Sequence, residues 1–471
     1  MVKKKAIILG AGISGLSVAW KFKKEGYDVV IIEKDKRIGG LSGTIDWDGW
    51  KFDFGAHSFH SKNQHIINIF KQNLPDKFLP RKVNAKLYIF DRLMHYPIVG
   101  FQVFTSLKKG TMLLAGLDFL ITRLKALFFG IKETDHLDEW IKRRFGIILY
   151  NAYFHPYLQR VQKKDVHLLS SDIGRKKIPI FSIRQYLLRT LTINKFIHPD
   201  EKILFDTYYI KGGFGELCRY FWNEMATTGG VRLSLDETVS KVSIQDGKVV
   251  SIETDKNHYS TESAIVVSTI PIKSLFRVLN SAEGLENTAE QLEYMAARYI
   301  LMKVKKDCVS GTHWINFNGE QYFFTRVSEH IYDEFEMVPG KGLSSLNFEI
   351  PLNTDDEYYR MPDDEIFLKA LDRYNNVVPL HKEDIIDYRS VWTDYAAPRM
   401  TLGYKNILKK LLVYLAGVDN IYSMGRQGLF SYMNADQCIE LSSELVTALV
   451  KDSARDWYRQ LIKTLHSFDI E

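Results

Sequence analysis

The sequence has little of what would indicate a secreted, metal-binding or nucleic-acid-binding protein. Its three cysteines lie far apart, at positions 218, 308 and 438, so neither a disulfide framework nor a zinc site is expected. Charges of both signs are spread along the chain, and the net charge of +6 favours anionic small molecules only mildly. We therefore expect a cytoplasmic protein without a nucleic-acid partner, and its 471 residues predict two or three domains.

Long uninterrupted apolar segments are also missing. The apolar residues after Lys5 extend only for the length of one strand, which is too short for a signal peptide. The most apolar stretch, 112–130, contains Asp118, Arg123 and Lys125, so it falls short of a membrane span. This stretch predicts a buried or amphipathic helix, and contact with a membrane is not expected.

A glycine-rich turn lies between two segments that have the pattern of buried strands. Residues 6–9 are apolar and lead into Gly10-Ala11-Gly12-Ile13-Ser14-Gly15, after which helical spacing continues to about residue 25. In an adenine-dinucleotide site, Gly10 allows the tight turn and Gly12 lets backbone N–H groups approach a pyrophosphate. Gly15 lets helix and strand pack closely. The strand–turn–helix context makes this glycine motif specific for a dinucleotide.

The second strand, residues 27–32, ends on an acidic residue. Glu33 can accept hydrogen bonds from both ribose hydroxyls, whereas a 2′-phosphate would bring a second negative charge to hydrogen-bonding distance. The glycines of Arg37-Ile38-Gly39-Gly40-Leu41 follow directly, which indicates backbone close to a large ligand. His57 and His60 come after an aromatic strand, and His60 is best explained as an ordinary polar residue.

Two later segments have the pattern of a return to the same nucleotide-binding fold. A hairpin is predicted around Asp246-Gly247, and residues 264–269 form another fully apolar strand. Near the end, residues 420–426 predict a last strand and glycine turn, and Asn434 caps the helix that follows. The chain is therefore predicted to enter the nucleotide-binding domain three times.

The segments between these returns predict a second region. Residues 80–200 have mainly helical patterns, while residues 275–395 mix strand-like runs, among them 322–325, with a helix over 363–374. The predicted fold class is α/β, with a Rossmann-type domain built from discontinuous segments and a mixed helical and β-sheet substrate domain. The predicted boundaries are 1–75, 205–275 and 395–471 for the Rossmann-type domain, 76–204 for a helical cap and 276–394 for a substrate-domain sheet.

This layout resembles the FAD-binding oxidoreductases related to amine oxidases and protoporphyrinogen oxidase, and within that group the UDP-galactopyranose mutases. The motifs that carry the resemblance are Gly55-Ala56-His57, His95-Tyr96-Pro97, Gly174-Arg175, residues 314–326 and residues 425–436. It implies a non-covalently bound FAD. Together with the glycine motif, the resemblance assigns to the cofactor Gly10, Gly12, Ile13, Ser14, Gly15, Glu33, Lys34, Gly39, Gly40, Leu41, Gly55, His57, Val239, Thr269, Gly425, Arg426, Tyr432, Asn434, Ala435 and Asp436.

The resemblance to the mutases further implies a reaction and a substrate. N5 of the reduced flavin would attack the anomeric carbon of a UDP-sugar, so that pyranose and furanose forms interconvert, with NAD(P)H as a candidate reductant. The resemblance assigns catalytic roles to His57, Arg175 and Arg326. It assigns substrate contacts to Tyr96, Arg175, Asn316, Arg326, Arg426 and Tyr432.

Three positions depart from the mutase pattern, so a substrate other than UDP-galactopyranose stays open. Asn316 replaces a tyrosine that holds the pyrophosphate, and Leu158 and Gln162 replace an asparagine and a tryptophan. The main alternative is an oxidoreductase of the amine oxidase or protoporphyrinogen oxidase type, which passes a hydride to oxidised FAD. A flavoprotein without catalytic activity is a third alternative, since a fold alone does not fix a function.

Overall fold

The computed structural model describes residues 4–96, 109–178, 207–280 and 284–466. The strands in these ranges are β1 Lys5–Leu9, β2 Asp28–Ile32, β3 Thr44–Trp47, β4 Trp50–Asp53, β5 Phe59–His60, β6 Phe78–Pro80, β7 Ala85–Ile89, β8 Arg92–Tyr96, β9 Thr207–Ile210, β10 Val231–Ser234, β11 Val239–Gln245, β12 Lys248–Thr254, β13 His258–Ser260, β14 Ala264–Ser268, β15 Glu293–Val304, β16 Trp314–Asn318, β17 Arg326–Ile331, β18 Ser344–Leu352, β19 Ile385–Arg399 and β20 Ile421–Ser423.

The helices in the same part of the chain are α1 Ile13–Lys24, α2 Gln64–Asn73, α3 Lys109–Phe129, α4 Leu137–Phe145, α5 Ile147–Leu149, α6 His155–Gln162, α7 Asp172–Lys177, α8 Glu216–Ala226, α9 Ile272–Val278, α10 Leu285–Glu290, α11 Glu357–Arg360, α12 Asp363–Asn375, α13 Tyr404–Ala416, α14 Gly425–Gly428, α15 Ala435–Val450 and α16 Ala454–His466. A π-helical turn, Tyr150–Phe154, leads from α5 into α6.

A parallel sheet of five strands forms the centre of the nucleotide-binding region. Its order is β10-β2-β1-β14-β20, so strands from distant segments of the chain lie side by side. Leu9 pairs in parallel register with both Ile32 and Ser268, which brings the carboxyl ends of three strands to one edge. Helix α1 packs against α8 and α15 beside this sheet. These observations confirm the predicted Rossmann-type fold built from discontinuous segments.

A second sheet of seven strands has the order β19-β15-β18-β17-β16-β7-β8 and a separate apolar core. The hairpin of β7 and β8 belongs to a segment predicted to be mainly helical, and for residues 85–96 that prediction is wrong. Along β7, buried and half-buried residues alternate, which is the period of a strand, and β7 pairs in parallel with β16.

The strand predicted at residues 322–325 is also wrong. These residues form an irregular connection between β16 and β17. The side chains of Tyr322, Phe323 and Phe324 are buried there, so their apolar character reflects packing against the sheet core and not strand pairing.

Helix α3 presents large apolar side chains to the outside. Those that are exposed are Leu113, Leu114, Leu117, Leu120, Ile121, Leu124, Leu127, Phe128 and Phe129. The helix predicted at 112–130 is confirmed by α3, but the expected burial of its apolar side chains is wrong, since Ala115 is fully buried while these larger side chains are exposed. Within the described residues, no helix combines the length and the apolar composition that crossing a membrane requires.

Two predicted turns position later elements of the site. Asp246 and Gly247 connect β11 to β12 with φ angles of 49° and 72°, as the predicted hairpin requires. Asn434 begins α15 with a capping box, in which the Asn434 N–H donates to Oε1 of Gln437 at 3.0 Å. Both predictions are confirmed, and the start of α15 lies at the cavity described below.

Candidate active site

The glycine turn after β1 forms one wall of a large cavity. Gly10 has a φ of 100°, and a Cβ atom at Gly15 would lie 1.9 Å from the carbonyl oxygen of Gly10. Both positions therefore need glycine for the chain itself. At Gly12, in contrast, a Cβ atom would meet nothing closer than the carbonyl oxygen of Gly39 at 3.9 Å. The space beside Gly12 lies at the start of α1, where a dinucleotide places its pyrophosphate.

Two charged side chains line the same cavity. Glu33 is buried and accepts hydrogen bonds from the N–H groups of Ala11 at 2.6 Å and Asp35 at 2.9 Å. Burial raises the pKa of its carboxyl group, and each oxygen keeps a lone pair for a ribose hydroxyl. Burial lowers the pKa of Arg37, and no hydrogen-bond acceptor for its Nη1 is found among the described residues. This pair suits a ligand with both hydroxyl and phosphate groups.

The cavity has a volume of about 1320 Å³, which is enough for a dinucleotide. The predicted cofactor residues that line it are Gly10, Gly12, Ile13, Ser14, Glu33, Lys34, Gly39, Gly40, Leu41, His57, Val239, Thr269, Arg426, Asn434, Ala435 and Asp436. Four others have different surroundings. Gly15 packs on Gly10, Gly425 packs on Ser14, Gly55 lies beside Arg326, and Tyr432 lines a second cavity.

Several cavity residues were missed by the sequence analysis. Arg277 on α9 and both Arg389 and Trp392 on β19 line the large cavity. They come from segments far from the glycine motif and carry no motif of their own. Arg37 was detectable, because it lies four residues after Glu33 and directly before the clustered glycines.

His57 lies on the loop after β4 and faces the cavity. Its ring packs on Phe214 with 4.7 Å between centroids, and its Nδ1 lies 3.9 Å from Oδ2 of Asp53. Asp53 is buried and accepts hydrogen bonds from Thr44 Oγ1 at 2.5 Å and Tyr209 OH at 2.6 Å. Burial lowers the pKa of His57, so the imidazole is neutral near pH 7. Asp53, which the sequence analysis missed, fixes the start of this loop.

A row of polar side chains crosses the seven-stranded sheet beside this loop. Asn316 on β16 pairs with Arg326 on β17, and Arg326 pairs with Glu349 on β18. Glu349 in turn pairs with Tyr299 on β15, and Tyr299 with Val391 on β19. Directly opposed residues of neighbouring strands point to the same face, so these side chains lie in line. We name the four residues Asn316, Arg326, Glu349 and Tyr299 the polar row, which leads towards the cavity wall at Val391.

Arg326 forms an ion pair with the carboxylate of this row. Its Nε and Nη2 donate to the same oxygen, Oε2 of Glu349, at 2.9 and 2.5 Å. Burial acts to lower the pKa of Arg326, but the Glu349 carboxylate outweighs it and raises that pKa. A Cβ atom at Gly55 would lie 2.8 Å from Oε2 of Glu349, so glycine lets the His57 loop approach the ion pair. A single glutamate inside a strand carries no motif, which is why Glu349 was missed.

Two tyrosines with nearly parallel rings lie near the polar row. The rings of Tyr153 and Tyr157 are 4° from parallel, with 6.1 Å between centroids. Burial and, to a smaller extent, the nearby Tyr96 at the end of β8 raise the pKa of Tyr157 to about 12. The predicted substrate residue Tyr96 therefore lies in the same neighbourhood as Arg326, whereas Pro97 of the same motif is outside the described residues.

A second cavity of about 620 Å³ adjoins the first, and Arg426 lines both. Lys176 and Tyr432 also line it, and Nζ of Lys176 donates to Ser431 Oγ at 2.7 Å. Desolvation of the amino group lowers the pKa of Lys176. Nε of Arg426 is buried, and the described residues offer it no acceptor. Two cations and one carboxylate, that of Glu440, thus line a cavity that can receive an anion separate from the dinucleotide.

Arg175 lies away from both cavities. Its guanidinium donates to Oε2 of Glu133 at 2.7 Å and to Oδ1 of Asp172 at 3.4 Å, and 39% of the side chain is exposed. Within the described residues, neither cavity is lined by Arg175, and its neighbour Lys176 reaches the second cavity instead. The predicted catalytic and substrate roles of Arg175 therefore stay predictions that the geometry does not support.

Family models match both parts of this arrangement. Residues 8–72 match the NAD(P)-binding Rossmann-like domain, and residues 180–431, more than half of the chain, match the flavin containing amine oxidoreductases. The chain belongs to the flavin-containing amine oxidoreductase family. The predicted family is thereby confirmed, and so is FAD as the cofactor, which fits the dinucleotide cavity. The protein is a flavin-dependent enzyme of the amine oxidase superfamily.

Individual relatives differ in what they do. The chain is 24% identical over 332 residues to the 1-hydroxycarotenoid 3,4-desaturase of Flavobacterium sp. (strain P99-3), and the match spans 64% of either protein, less than two thirds. A solved structure of reduced UDP-galactopyranose mutase has a TM-score of 0.79 at 17% identity, covering 96% of this chain and 94% of that one. A proposed protoporphyrinogen oxidase from Exiguobacterium sp. 255-15 has a TM-score of 0.74 at 16% identity, covering 96% and 100%. These two structures share the fold, and at such identities the likeness extends to nothing further.

Proposed function

We propose that this flavoenzyme is a mutase that interconverts the pyranose and furanose forms of a nucleotide sugar. The observation that carries the proposal is the second cavity, where Lys176 and Arg426 meet beside the FAD cavity. Guanidinium and ammonium groups are the usual partners of a diphosphate. Because Arg426 lines both cavities, a sugar diphosphate in the second one would lie next to the cofactor.

The residues around the cavities have separate roles in this proposal. The start of α1 at Gly12, together with Glu33 and Arg37, would hold FAD, which in its reduced form supplies a nucleophile for the sugar. When the bond between the anomeric carbon and the diphosphate breaks, negative charge gathers on the diphosphate oxygens. Lys176 and Arg426 are placed to stabilise this charge, and neutral His57 can hydrogen-bond without adding charge of its own.

The test combines binding with turnover. Purified protein with FAD, reduced by dithionite, is incubated with UDP-galactofuranose, and the ring forms are separated by chromatography. UDP binding is measured by calorimetry for the parent and for Lys176→Met, which removes one cation and keeps a similar stem. We expect the variant to bind UDP about tenfold more weakly with an unchanged flavin spectrum, since one charge-assisted hydrogen bond is lost.

The matched control is Lys369→Met, because Lys369 forms an exposed ion pair with Glu365 on α12. It should bind UDP as the parent does. A parent protein that fails to bind UDP, or a reduced protein that leaves UDP-galactofuranose unchanged, contradicts the mutase proposal.

An oxidoreductase is the second candidate, and the desaturase relative favours it. The aromatic rings of Tyr153, Tyr157 and Tyr299 near Arg326 are compatible with an apolar substrate, which would pass a hydride to oxidised FAD. Such an enzyme would work without dithionite and would consume oxygen or another acceptor in proportion to the substrate oxidised. The mutase would gain activity on reduction, with dithionite or NAD(P)H, and would consume no acceptor.

A further inference from the structure

We infer that Glu349 is a displaceable counter-ion that controls access of an anionic substrate to Arg326, and that substrate binding protonates Glu349. This inference rests on the proposed nucleotide-sugar function, and it adds Arg326 to Arg426 as a ligand of the diphosphate, since both arginines influence the pKa values of His57 and Tyr299. In the structure, Nε and Nη2 of Arg326 both donate to one oxygen of Glu349. A diphosphate that binds Arg326 must therefore replace that carboxylate or share the guanidinium with it.

The arginine of this ion pair is partly exposed. The Arg326 side chain is 28% exposed and that of Glu349 25%, whereas in the pair of Arg399 and Glu293 on the same sheet the arginine is 6% exposed and the glutamate 32%. The polar row places the Arg326–Glu349 pair in line with the cavity wall, and the glycine at position 55 keeps the His57 loop against it. Within the described residues, neither Arg326 nor Glu349 lines a cavity, so we place the ligand on this partly exposed pair beside the loop whose His57 lines the larger cavity.

Charge repulsion couples the exchange to a proton. An ionised Glu349 bonded to Arg326 would lie within about 5 Å of a phosphate on the same guanidinium, where like charges repel strongly. Protonation from solvent removes this repulsion, and the neutral acid can then donate its O–H to a phosphate oxygen. One proton is taken up for each substrate bound, and the diphosphate replaces Glu349 as the ion-pair partner of Arg326.

Four other titratable groups face Glu349. Tyr299 on β15 and Tyr157 on α6 have pKa values raised by burial, the latter to about 12. His57 on the adjoining loop has a pKa lowered by burial, and Arg326 on β17 has one raised by Glu349 against the effect of burial. Because an anion bound near His57 would also favour the protonated imidazole, the variant Glu349→Gln, which removes the carboxyl group and keeps His57, decides which group takes up the proton.

The experiment titrates the FAD-loaded protein with UDP-galactose by calorimetry from pH 6 to pH 8. UDP-galactose is the suitable probe because its diphosphate is a diester, whereas the terminal phosphate of UDP itself titrates near pH 6. For the parent we expect the dissociation constant to rise towards tenfold per pH unit, and the heat to depend on the ionisation enthalpy of the buffer in proportion to one proton. This measurement needs no variant.

Two variants test whether Glu349 is the group that competes for Arg326 and takes up the proton. Glu349→Gln should bind UDP-galactose about tenfold or more tightly at pH 8 and lose the proton uptake, because no carboxylate competes for Arg326. Glu293→Gln removes the carboxylate of another arginine pair on the same sheet, that of Arg399, and should behave as the parent does.

The outcomes separate this inference from the function on which it rests. UDP-galactose binding that is independent of pH, or that Glu349→Gln leaves unchanged or weakens, overturns the role of Glu349 and leaves the mutase proposal standing. Absence of UDP-galactose binding at every pH overturns both.

Discussion

The glycine turn after β1 and the polar row across the seven-stranded sheet are built in opposite ways. In the turn, the ligand surface is backbone, and its shape depends on side chains being absent at Gly10, Gly12 and Gly15. In the polar row, the surface consists of side chains brought together by the pairing of β15 to β18. The turn is a local structure of six residues, whereas the row joins residues up to 50 positions apart.

This difference separates what binds the cofactor from what selects the substrate. A backbone surface with a helix start recognises pyrophosphate in any sequence that keeps the glycines. A side-chain surface can change its charge with single substitutions, as Asn316 and Glu349 illustrate on either side of Arg326. Substitutions in the turn should therefore affect folding and FAD binding, while those in the row should affect substrate and pH dependence.

The largest effect is expected for Gly15→Val. Because a Cβ atom there would lie 1.9 Å from the carbonyl oxygen of Gly10, α1 must move away from β1. We expect a loss of stability of about 3 kcal/mol or more, together with loss of FAD. Thermal unfolding and the flavin absorbance of purified protein measure both. Gly116→Val on α3, where a Cβ atom meets nothing within 4 Å, is the control and should retain FAD. A yellow Gly15→Val protein with the parent melting temperature would contradict the packing role.

Gly12→Val should separate cofactor binding from folding. Its side chain has room within the protein, since the nearest atom to a Cβ is 3.9 Å away, but it fills the space of the pyrophosphate. We expect this variant to fold without FAD. It should show no flavin absorbance and have the same circular dichroism spectrum as parent protein from which FAD has been removed. If this variant binds FAD normally, the pyrophosphate does not lie at the start of α1.

His313, directly before β16 of the seven-stranded sheet, should make stability depend on pH. Its Nδ1 accepts a hydrogen bond from the N–H of Asn84 at 2.8 Å, and burial lowers its pKa to about 3. Below pH 6.5 the unfolded chain binds a proton at this histidine that the folded protein does not, so stability is lost as the pH falls.

For His313→Gln, we expect the free energy of unfolding to fall less between pH 7.5 and pH 4.5, by about 2 kcal/mol. Urea denaturation at the two pH values gives this difference. His65→Gln, at an exposed position on α2, is the control and should follow the parent. An equal acid sensitivity of parent and His313→Gln would show that His313 is protonated in the folded state.

The same contrast explains how far the sequence could predict the structure. The glycine turn, the acid at Glu33 and the cap at Asn434 were predictable because each depends on residues within one turn or one strand end. The partner of Arg326 was not, because Glu349 becomes its neighbour only through the pairing of β17 with β18. The exposed face of α3 was missed for a related reason, since an apolar pattern indicates a helix face but not what covers it.

Arg175 provides the smallest expected effect and tests how far a motif match can be trusted over geometry. The resemblance gave it catalytic and substrate roles, yet its guanidinium pairs with Glu133 and Asp172 on an exposed surface. Such pairs contribute about 1 kcal/mol or less to stability. We therefore expect Arg175→Ala to keep its FAD and to change UDP affinity less than twofold, whereas Lys176→Met loses about tenfold. Calorimetry on both variants in the same buffer measures the two UDP affinities. A tenfold loss of UDP affinity in Arg175→Ala, without a loss in Lys176→Met, would show that Arg175 leaves its ion pairs when the substrate binds. Arg175, and not Lys176, would then contact the diphosphate.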